Sequence, residues 1–213
     1  PYILGISGGA GIGALLAIFM GFGVVALNGF AFMGALGAML LVFGLSHGDG
    51  SWTQTRLILT GVMFSAGCGA IITLLLSVAP EERLRGMLFW LMGDFSQGVN
   101  PTYALIGLVI IGLLTAPLAR DLNVLIRGND TAKALGVSVS FVRIAVYLLA
   151  SMATAVSVTT AGSVGFVGLV IPHLTRMIVG NDQRVLLPTS MLAGGTFLVL
   201  ADAVARILIA PQQ

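Results

Sequence analysis

Residues 120–143 read RDLNVLIRGNDTAKALGVSVSFVR and place six charged side chains between two long apolar runs. Within this stretch, residues 127–130 (RGND) are typical of a turn that leads into a helix, with Asp130 as the N-cap. Residues 131–135 predict a helix of about one and a half turns, and Gly136 is the C′ residue that ends it. The sequence therefore predicts a short capped helix inside a polar stretch.

The short helix has one apolar side, because Ala132 and Leu135 lie three positions apart. We expect the two side chains to form an apolar tip that faces away from the charges. Together with the turn residues Arg127, Gly128 and Asn129, such a tip fits a groove of another protein. An amphipathic connector lying on lipid headgroups explains the same pattern. This stretch alone leaves both interpretations open.

The chain as a whole is too apolar for a water-soluble domain. Its 213 residues are 57% hydrophobic and 8% charged, with a mean hydropathy of +1.05, whereas soluble domains carry about 25% charged residues. A helix needs about 20 apolar residues to cross a bilayer. Four longer runs contain no Asp, Glu, Lys or Arg: 1–46, 57–80, 95–119 and 144–175. We therefore predict an all-α, polytopic bundle in the lipid bilayer, a single domain over residues 1–213 that is trimmed at both ends.

The charge and the cysteine content do not indicate a nucleic-acid, metal or cofactor ligand. The net charge is +2, but the basic residues are dispersed between spans and form no patch for nucleic acid. Cys68 lies in an apolar run, where we expect a small core residue. His47 and Asp49 are too few to form a metal site in a flexible loop. We expect no metal site, no cofactor bound by this chain and no nucleic-acid partner.

Seven membrane spans follow from the apolar runs and the turns between them. Asn28–Gly29 marks a tight turn between the first two spans, and the glycines of residues 1–13 disfavour a regular helix in the first part of that stretch. Gly9 and Gly13 have the GxxxG spacing of closely packed membrane helices. The predicted spans are about 9–25, 30–45, 56–79, 102–118, 140–160, 161–180 and 186–209.

The basic residues between spans predict the orientation. If segment 161–180 crosses the membrane fully, seven of the ten basic residues fall on one side and three on the other. The positive-inside rule then places the more basic side, which includes residues 120–143, in the cytoplasm. A re-entrant segment 161–180 would invert the final span.

A short charged segment follows the third span. Pro80 with two acidic residues behind it predicts a helix start, and residues 82–91 predict a short helix at the membrane interface that carries Phe89 and Trp90. Its charged residues fit salt-bridge docking of a partner and fit a solvated loop equally well. These residues are Glu81, Glu82, Arg83 and Arg85.

The segment after the fifth span is broken. Residues 162–176 read GSVGFVGLVIPHLTR. Irregular backbone at membrane depth needs protein or water around it, so we predict a centrally packed segment with a break near Gly162 and a bend near Pro172. Its glycines fit close helix packing and also fit a wide path for a bulky substrate. The residues of this path or packing site are Gly162, Ser163, Gly165, Phe166, Gly168, Pro172, His173 and Arg176.

The polar residues of this segment do not form a catalytic site. For His173 we expect a hydrogen-bonding role at a helix end rather than metal coordination, because Pro172 and Arg176 supply no second ligand. Arg176 is expected near the cytoplasmic, C-terminal end of its helix, where a positive charge interacts favourably with the helix dipole. The chain has no nucleophile, base and orienting group at a recognisable spacing and no phosphate-loop motif. We therefore expect no enzymatic activity of its own.

Several of these stretches resemble the FecCD family of bacterial ABC-importer permeases. Residues 162–176 carry the most specific resemblance, while the opening PYILGISGGAGIGA and the segment 128–137 (GNDTAKALGV) are similar to family sequences. One departure is Asn129–Asp130, where the family more often has Gly-Glu. Further matching residues follow in order: Gly180–Asn181–Asp182, Leu187–Pro188, Ala201–Asp202 and Ala205–Arg206.

The resemblance implies a type II ABC-importer permease that moves iron-siderophores, haem or cobalamin across the bacterial inner membrane. It also implies a second permease copy in a homodimer, two ATPase subunits that bind ATP, and a periplasmic or lipoprotein substrate-binding protein. Residues 120–139 would be the cytoplasmic coupling segment that meets the ATPase, and the charged residues 81–85 would face the binding protein. The chain would lack the family's first two helices and its last one.

Two alternatives belong to other classes. An ion-coupled secondary transporter would need an ionisable pair near the bilayer centre, whereas Asp202 and Arg206, at an i,i+4 spacing, lie near a span end. A purely structural membrane subunit is the second alternative.

Overall fold

The computed structural model describes residues 5–46, 54–93 and 101–209. The predicted loop of His47 and Asp49 and the side chain of Arg206 lie outside the described residues. Within the described ranges the regular secondary structure is helical, as predicted. The helices are α1 Ile6–Met20, α2 Val24–Ser46, α3 Gln54–Val78, α4 Glu81–Met92, α5 Pro101–Thr115, α6 Leu118–Leu125, α7 Asn129–Ala134, α8 Val139–Ala161, α9 Val167–Val179 and α10 Gln183–Ile209.

Four of the described helices are long and apolar enough to cross a bilayer, namely α2, α3, α8 and α10. Helix α5 bends by 56° into α6, and this pair makes a fifth span if it is counted as one. Helices α1 and α9 have 15 and 13 residues, or about 22 and 20 Å, which is less than the ~30 Å hydrocarbon core. Each predicted span thus corresponds to a helix, but four or five, rather than seven, have spanning length among the described residues.

The described residues form two compact units, and the first comprises those of Pro1–Ile111 and Tyr147–Val164. Helix α1 packs against α2, α3 and α4. The core of this unit contains Ile6, Ala10, Ala35, Ala155 and Val158, with Phe32 and Trp90 packed against it. Small residues dominate this list because the helix backbones approach closely, as expected for helices that associate in lipid.

The closest approach lies between α1 and α2. A Cβ atom added to Gly13 would fall on the carbonyl oxygen of Phe30, and one added to Gly34 would fall on the carbonyl oxygen of Gly9. The predicted GxxxG pair, Gly9 and Gly13, is therefore confirmed as a packing surface.

Two predictions about this region are wrong. Asn28–Gly29 is not a turn, because both residues lie inside α2; the turn is 21–23, where Gly21 has φ +78° and ends α1. The described part of the glycine-rich start is not irregular either, because α1 is helical from Ile6; residues 1–4 of this prediction lie outside the described residues. The conformational freedom of glycine disfavours a helix, but here the absence of side chains permits the packing on α2 that stabilises it.

The second unit comprises the described residues of Gly112–Val146 and Gly165–Gln213. In it α9 packs against α10, and α6 packs against both α7 and α10. The hydroxyl groups of Thr175 and Ser190 lie 2.8 Å apart between α9 and α10. This unit contains the short predicted helix of the polar stretch.

Candidate coupling site

The polar stretch 120–143 forms most of α6, all of α7 and the start of α8. Helix α6 begins after Pro117, which cannot donate a backbone hydrogen bond to the end of α5. It buries Leu118 and Ala119. Sequence reasoning missed α6, although Leu118, Leu122 and Leu125 recur at the i, i+4, i+7 spacing of an amphipathic helix.

Helix α7 begins at Asn129, two residues earlier than predicted. Its N-cap is Gly128, with φ +115° and ψ 153°, and no side chain caps the helix. The predicted cap, Asp130, instead lies in the first turn, where its negative charge still interacts favourably with the helix dipole. The correction has a backbone cause: a φ of +115° is one that residues other than glycine rarely adopt, so Gly128 determines where the chain turns.

The predicted end of α7 is confirmed. Gly136 follows the last helical turn with φ +81°. Its N–H donates to the Lys133 carbonyl at 3.0 Å, and the Val137 N–H donates to the Ala132 carbonyl at 2.9 Å. This pair of bonds is a Schellman motif, which satisfies the last carbonyls and makes the helix end rigid.

The predicted two-residue apolar tip is wrong. Ala132 is fully buried, whereas Leu135 is 64% exposed. Leu135 is the C-cap residue, with φ −87° and ψ 8°, so it lies where the helix ends. Helix α7 therefore presents a single large apolar side chain, Leu135, beside the exposed residues Asp130 and Lys133.

Three hydrogen bonds join residues 120–139 to the neighbouring helices α8 and α10. From α8, Arg143 Nη2 donates to the Asn129 Oδ1 atom at 2.9 Å. From α6, Asn123 Nδ2 donates to Asp182 Oδ1 at 2.6 Å, and the Gln183 N–H donates to Asn123 Oδ1 at 2.8 Å. We call the bonds of Asn123 to Asp182 and Gln183 the α6–α10 clasp.

Asp182 also caps α10. Its Oδ1 accepts a hydrogen bond from the Arg184 N–H at 3.0 Å, as an N-cap side chain does. The sequence analysis did not identify this cap, although Asn and Asp before a helix are typical cap residues. The partner of Asn123 lies 59 residues away in the chain, and no sequence signal identifies it.

The pKa of Asp182 predicts a pH dependence. The Asn123 side-chain donor, and after it the Arg184 N–H, hold the pKa of this carboxyl below its ordinary value of 3.8. A carboxyl whose pKa is lower in the folded chain stabilises the fold above its ordinary pKa, and this contribution is lost as the pH falls through the lowered value. Protection of the first-turn amides of α10 from hydrogen exchange should therefore be full above pH 3.8 and be lost as the pH falls through the lowered pKa of Asp182.

The control for this measurement is Asn123→Ala, which removes the larger cause of the lowered pKa. Its protection, corrected for intrinsic exchange, should be lost at a higher pH than that of the wild type. Identical pH profiles for the two proteins would contradict the assignment.

The predicted break at Gly162 is confirmed. Helix α8 ends at Ala161, and Gly162 is buried with φ +70°. A Cβ atom added there would lie 2.8 Å from both the Trp90 carbonyl oxygen and the Gly93 Cα. For this glycine the packing interpretation therefore has a direct structural basis.

The residues assigned to the path or packing site divide between the two units. Gly162 and Ser163 belong to the first unit, and the remaining six, from Gly165 to Arg176, belong to the second. Phe166 is the N-cap of α9, has φ +63° and is 80% exposed.

His173 lies in the middle of α9 and not at a helix end, which corrects its predicted position. Arg176 lies in the last turn of α9, as predicted for a cation near the C-terminal end of the helix.

The charged residues around α4 do not all face outward. The Arg83 guanidinium donates to the carbonyl oxygens of Phe19 and Ile18 at the end of α1. Arg85 lies over the Phe89 ring, 5.6 Å from its centroid. Glu81 and Glu82 are exposed in the first turn of α4. Arg83 thus binds within the first unit, while Glu81, Glu82 and Arg85 remain accessible in the described chain.

Possible metal ligands are scattered. Among residues 5–46, 54–93 and 101–209, no three His, Cys, Asp or Glu side chains lie close enough together to hold an ion. His173 is exposed and has no such group around it.

Comparison with solved structures defines the class of protein. The fold is similar to that of a protein described as an inward-facing, metal-chelate type ABC transporter, with a TM-score of 0.90 and 36% identity over 97% of this chain and 67% of that one. The chain is thus a multi-pass membrane protein with the fold of an ABC-transporter permease. It belongs to the FecCD transport family, whose profile matches residues 1–213.

Curated relatives cover the chain almost completely. The cobalamin import system permease protein BtuC of Halobacterium salinarum is 39% identical over 97% of this chain and 56% of its own length. The molybdate import system permease protein MolB of Haemophilus influenzae is 36% identical over 98% of this chain and 63% of its own length. The chain therefore spans less than two thirds of the length of these two relatives.

Proposed function

We propose that this chain belongs to the permease subunit of an ABC importer that moves an iron-siderophore, haem or cobalamin across a bacterial inner membrane. The observation that carries the proposal is α7, a short helix with a Schellman end and one exposed leucine, in a chain of the FecCD family. A separate ATPase subunit binds and hydrolyses ATP, and no cofactor is assigned to this chain.

The proposed coupling follows from the geometry of α7. Leu135 enters a cleft of the ATPase, beside Asp130 and Lys133 at the charged edge of the helix. When the ATPase pair closes on ATP, the cleft moves and pushes the helix. A rigid element transmits such a displacement better than a flexible loop, and the Gly128 turn and the Gly136 Schellman motif supply that rigidity.

The proposed assembly has two further partners. A second permease copy completes the translocation path, and a periplasmic or lipoprotein binding protein delivers the substrate. Glu81, Glu82 and Arg85 are available for salt bridges with that binding protein, because they are exposed. Arg83 is removed from the docking surface, because its guanidinium caps the end of α1.

The names of the relatives support more than one substrate. One relative is named for cobalamin and another for molybdate, while the similar structure is described as metal-chelate type. A bulky chelate is favoured by the structural similarity and by the small residues at 165 and 168. Molybdate, a small oxyanion, is the competing substrate.

The proposal is tested with the full-length permease, its ATPase and its binding protein in sealed vesicles. We expect uptake of labelled cobalamin, haem or iron-siderophore to require ATP and to be insensitive to a protonophore. An ATPase with a substituted phosphate-loop lysine should abolish uptake. Uptake without ATP, driven by an ion gradient, would overturn the proposal in favour of a secondary transporter, and ATP-driven uptake of molybdate alone would overturn the substrate class.

A further inference from the structure

We propose that Asn123 is a positioning residue that passes displacement of the coupling helix α7 to α10 through the α6–α10 clasp. This inference rests on the proposed function, because it assumes that α7 receives the motion. It adds a second route of transmission, to a helix that does not adjoin the coupling segment in the chain.

The first step is the connection between α7 and its neighbours. Helix α7 has six residues and buries only Ala132 among them, so its own packing holds it weakly. It packs against α6, and its first residue, Asn129, is held by Arg143 of α8. A push on α7 therefore reaches α8 through the chain and Arg143, and it reaches α6 by packing.

The second step is the connection between α6 and α10. Helix α6 packs against α10, and the clasp joins the two at the N-terminus of α10. The amide of Asn123 uses both of its polar atoms there, donating through Nδ2 to Asp182 and accepting through Oδ1 from the Gln183 N–H. Two bonds on one planar group determine direction as well as distance, and a bond to a carboxylate is stronger than one between neutral groups.

The third step is the reach of α10. It has 27 residues, so its axis is about 40 Å long at 1.5 Å per residue, more than the hydrocarbon thickness of a bilayer. The clasp acts on its first turn, where Asp182 also caps the helix. A displacement applied there moves one end of a helix of spanning length, and helix shifts of this kind are an established form of switching motion.

The residue types are specific for this role. Aspartate at position 123 keeps the shape and the acceptor but loses the Nδ2 donor and places a second carboxylate against Asp182. The double variant Asn123→Asp, Asp182→Asn reverses the pair, because the new amide at 182 can donate to the carboxylate at 123. Asp182 makes its bonds to Asn123 and to the Arg184 N–H through the same atom, Oδ1, so the reversed pair keeps the clasp and gives up the cap bond to Arg184. The carboxylate at 123 still accepts from the Gln183 N–H.

The test measures substrate uptake per ATP hydrolysed by the full-length permease with its ATPase and binding protein in vesicles. We expect Asn123→Asp to lower this ratio by about fivefold or more, the lower end of typical coupling strengths, with unchanged complex assembly and basal ATP hydrolysis. The reversed double variant should restore the ratio to within about twofold of wild type. The control variant is Asn181→Asp, which makes the same change at the exposed asparagine that precedes Asp182 in the chain. It should leave the ratio unchanged.

The outcomes separate this inference from the proposed function. A normal ratio in Asn123→Asp, or a low ratio that the reversed pair fails to restore, overturns the inference. A lowered thermal midpoint or weaker assembly with a normal ratio also overturns it, because the clasp would then only stabilise the fold. If Leu135→Asp abolishes coupling while Asn123→Asp does not, the proposed function stands and only the clasp is refuted. If neither variant changes coupling, the function of α7 is refuted as well.

Discussion

Leu135→Asp is expected to abolish substrate-stimulated ATP hydrolysis by the assembled transporter, although the permease still inserts into the membrane. Leu135 is the one large apolar side chain that α7 exposes, so a docking cleft that accepts it must bury it. Burying a carboxylate in an apolar cleft without a partner costs several kcal/mol, which corresponds to a loss of binding of more than about a hundredfold. Deletion of residues 129–136 should have the same effect.

The measurement is ATP hydrolysis in vesicles with and without loaded binding protein. Leu135→Met keeps an apolar side chain of similar size and should retain stimulation. Phe141→Asp makes a comparable change at an exposed residue of α8, 65% exposed, outside the docking helix, and should also retain it. Stimulation by Leu135→Asp at the wild-type level would remove α7 as the coupling element.

Gly34→Leu is expected to separate α1 from α2 and to prevent stable folding of the first unit. The new Cβ atom would fall on the carbonyl oxygen of Gly9 and would lie 3.4 Å from the Cα of Gly13. Overpacking of a core typically costs about 1–3 kcal/mol when side chains can adjust. Here the obstacle is backbone on the facing helix, so we expect a destabilisation of about 3 kcal/mol or more.

The matched control is Gly37→Leu in the same helix, because a Cβ atom at Gly37 has no neighbour within 4 Å in the described chain. The stability of both variants can be compared by denaturant titration in mild detergent. We expect Gly37→Leu to unfold near the wild-type midpoint and Gly34→Leu to yield little folded protein. Equal midpoints for the two variants would show that the close approach of α1 and α2 does not hold this unit together.

Several features followed from local sequence. The uncharged runs located the apolar helices, because a helix in lipid must be apolar over most of its length. Gly136 marked the end of α7, since its left-handed φ is readily adopted by glycine. Pro80 and the two acids behind it marked the start of α4, and Gly162 marked the break after α8. In each case the signal is a property of one or a few adjacent residues.

The predictions that were wrong failed because packing between helices overrode local sequence preferences. Asn28–Gly29 has turn propensity, yet it continues α2, because Gly9 and Gly13 of α1 pack on that helix. Ala132 and Leu135 share a helical face by spacing, yet one is buried and the other exposed. Local preferences of about 1 kcal/mol or less per residue are overridden by packing.

The sequence by itself determined the class of this protein: an all-α membrane chain with a polar segment of 24 residues, 120–143, that contains a short helix. This was possible because hydropathy, glycine and proline influence the structure of the same stretch of chain in which they occur. Only the tertiary structure decided that Leu135 is exposed while Ala132 is buried. It also decided that Arg83 caps α1 and that Asn123 binds the start of α10. The contacts of Arg83 and Asn123 join residues about 60 positions apart in the chain. Such hydrogen bonds depend on how the helices pack, and no local sequence pattern shows which distant residues the packing brings together.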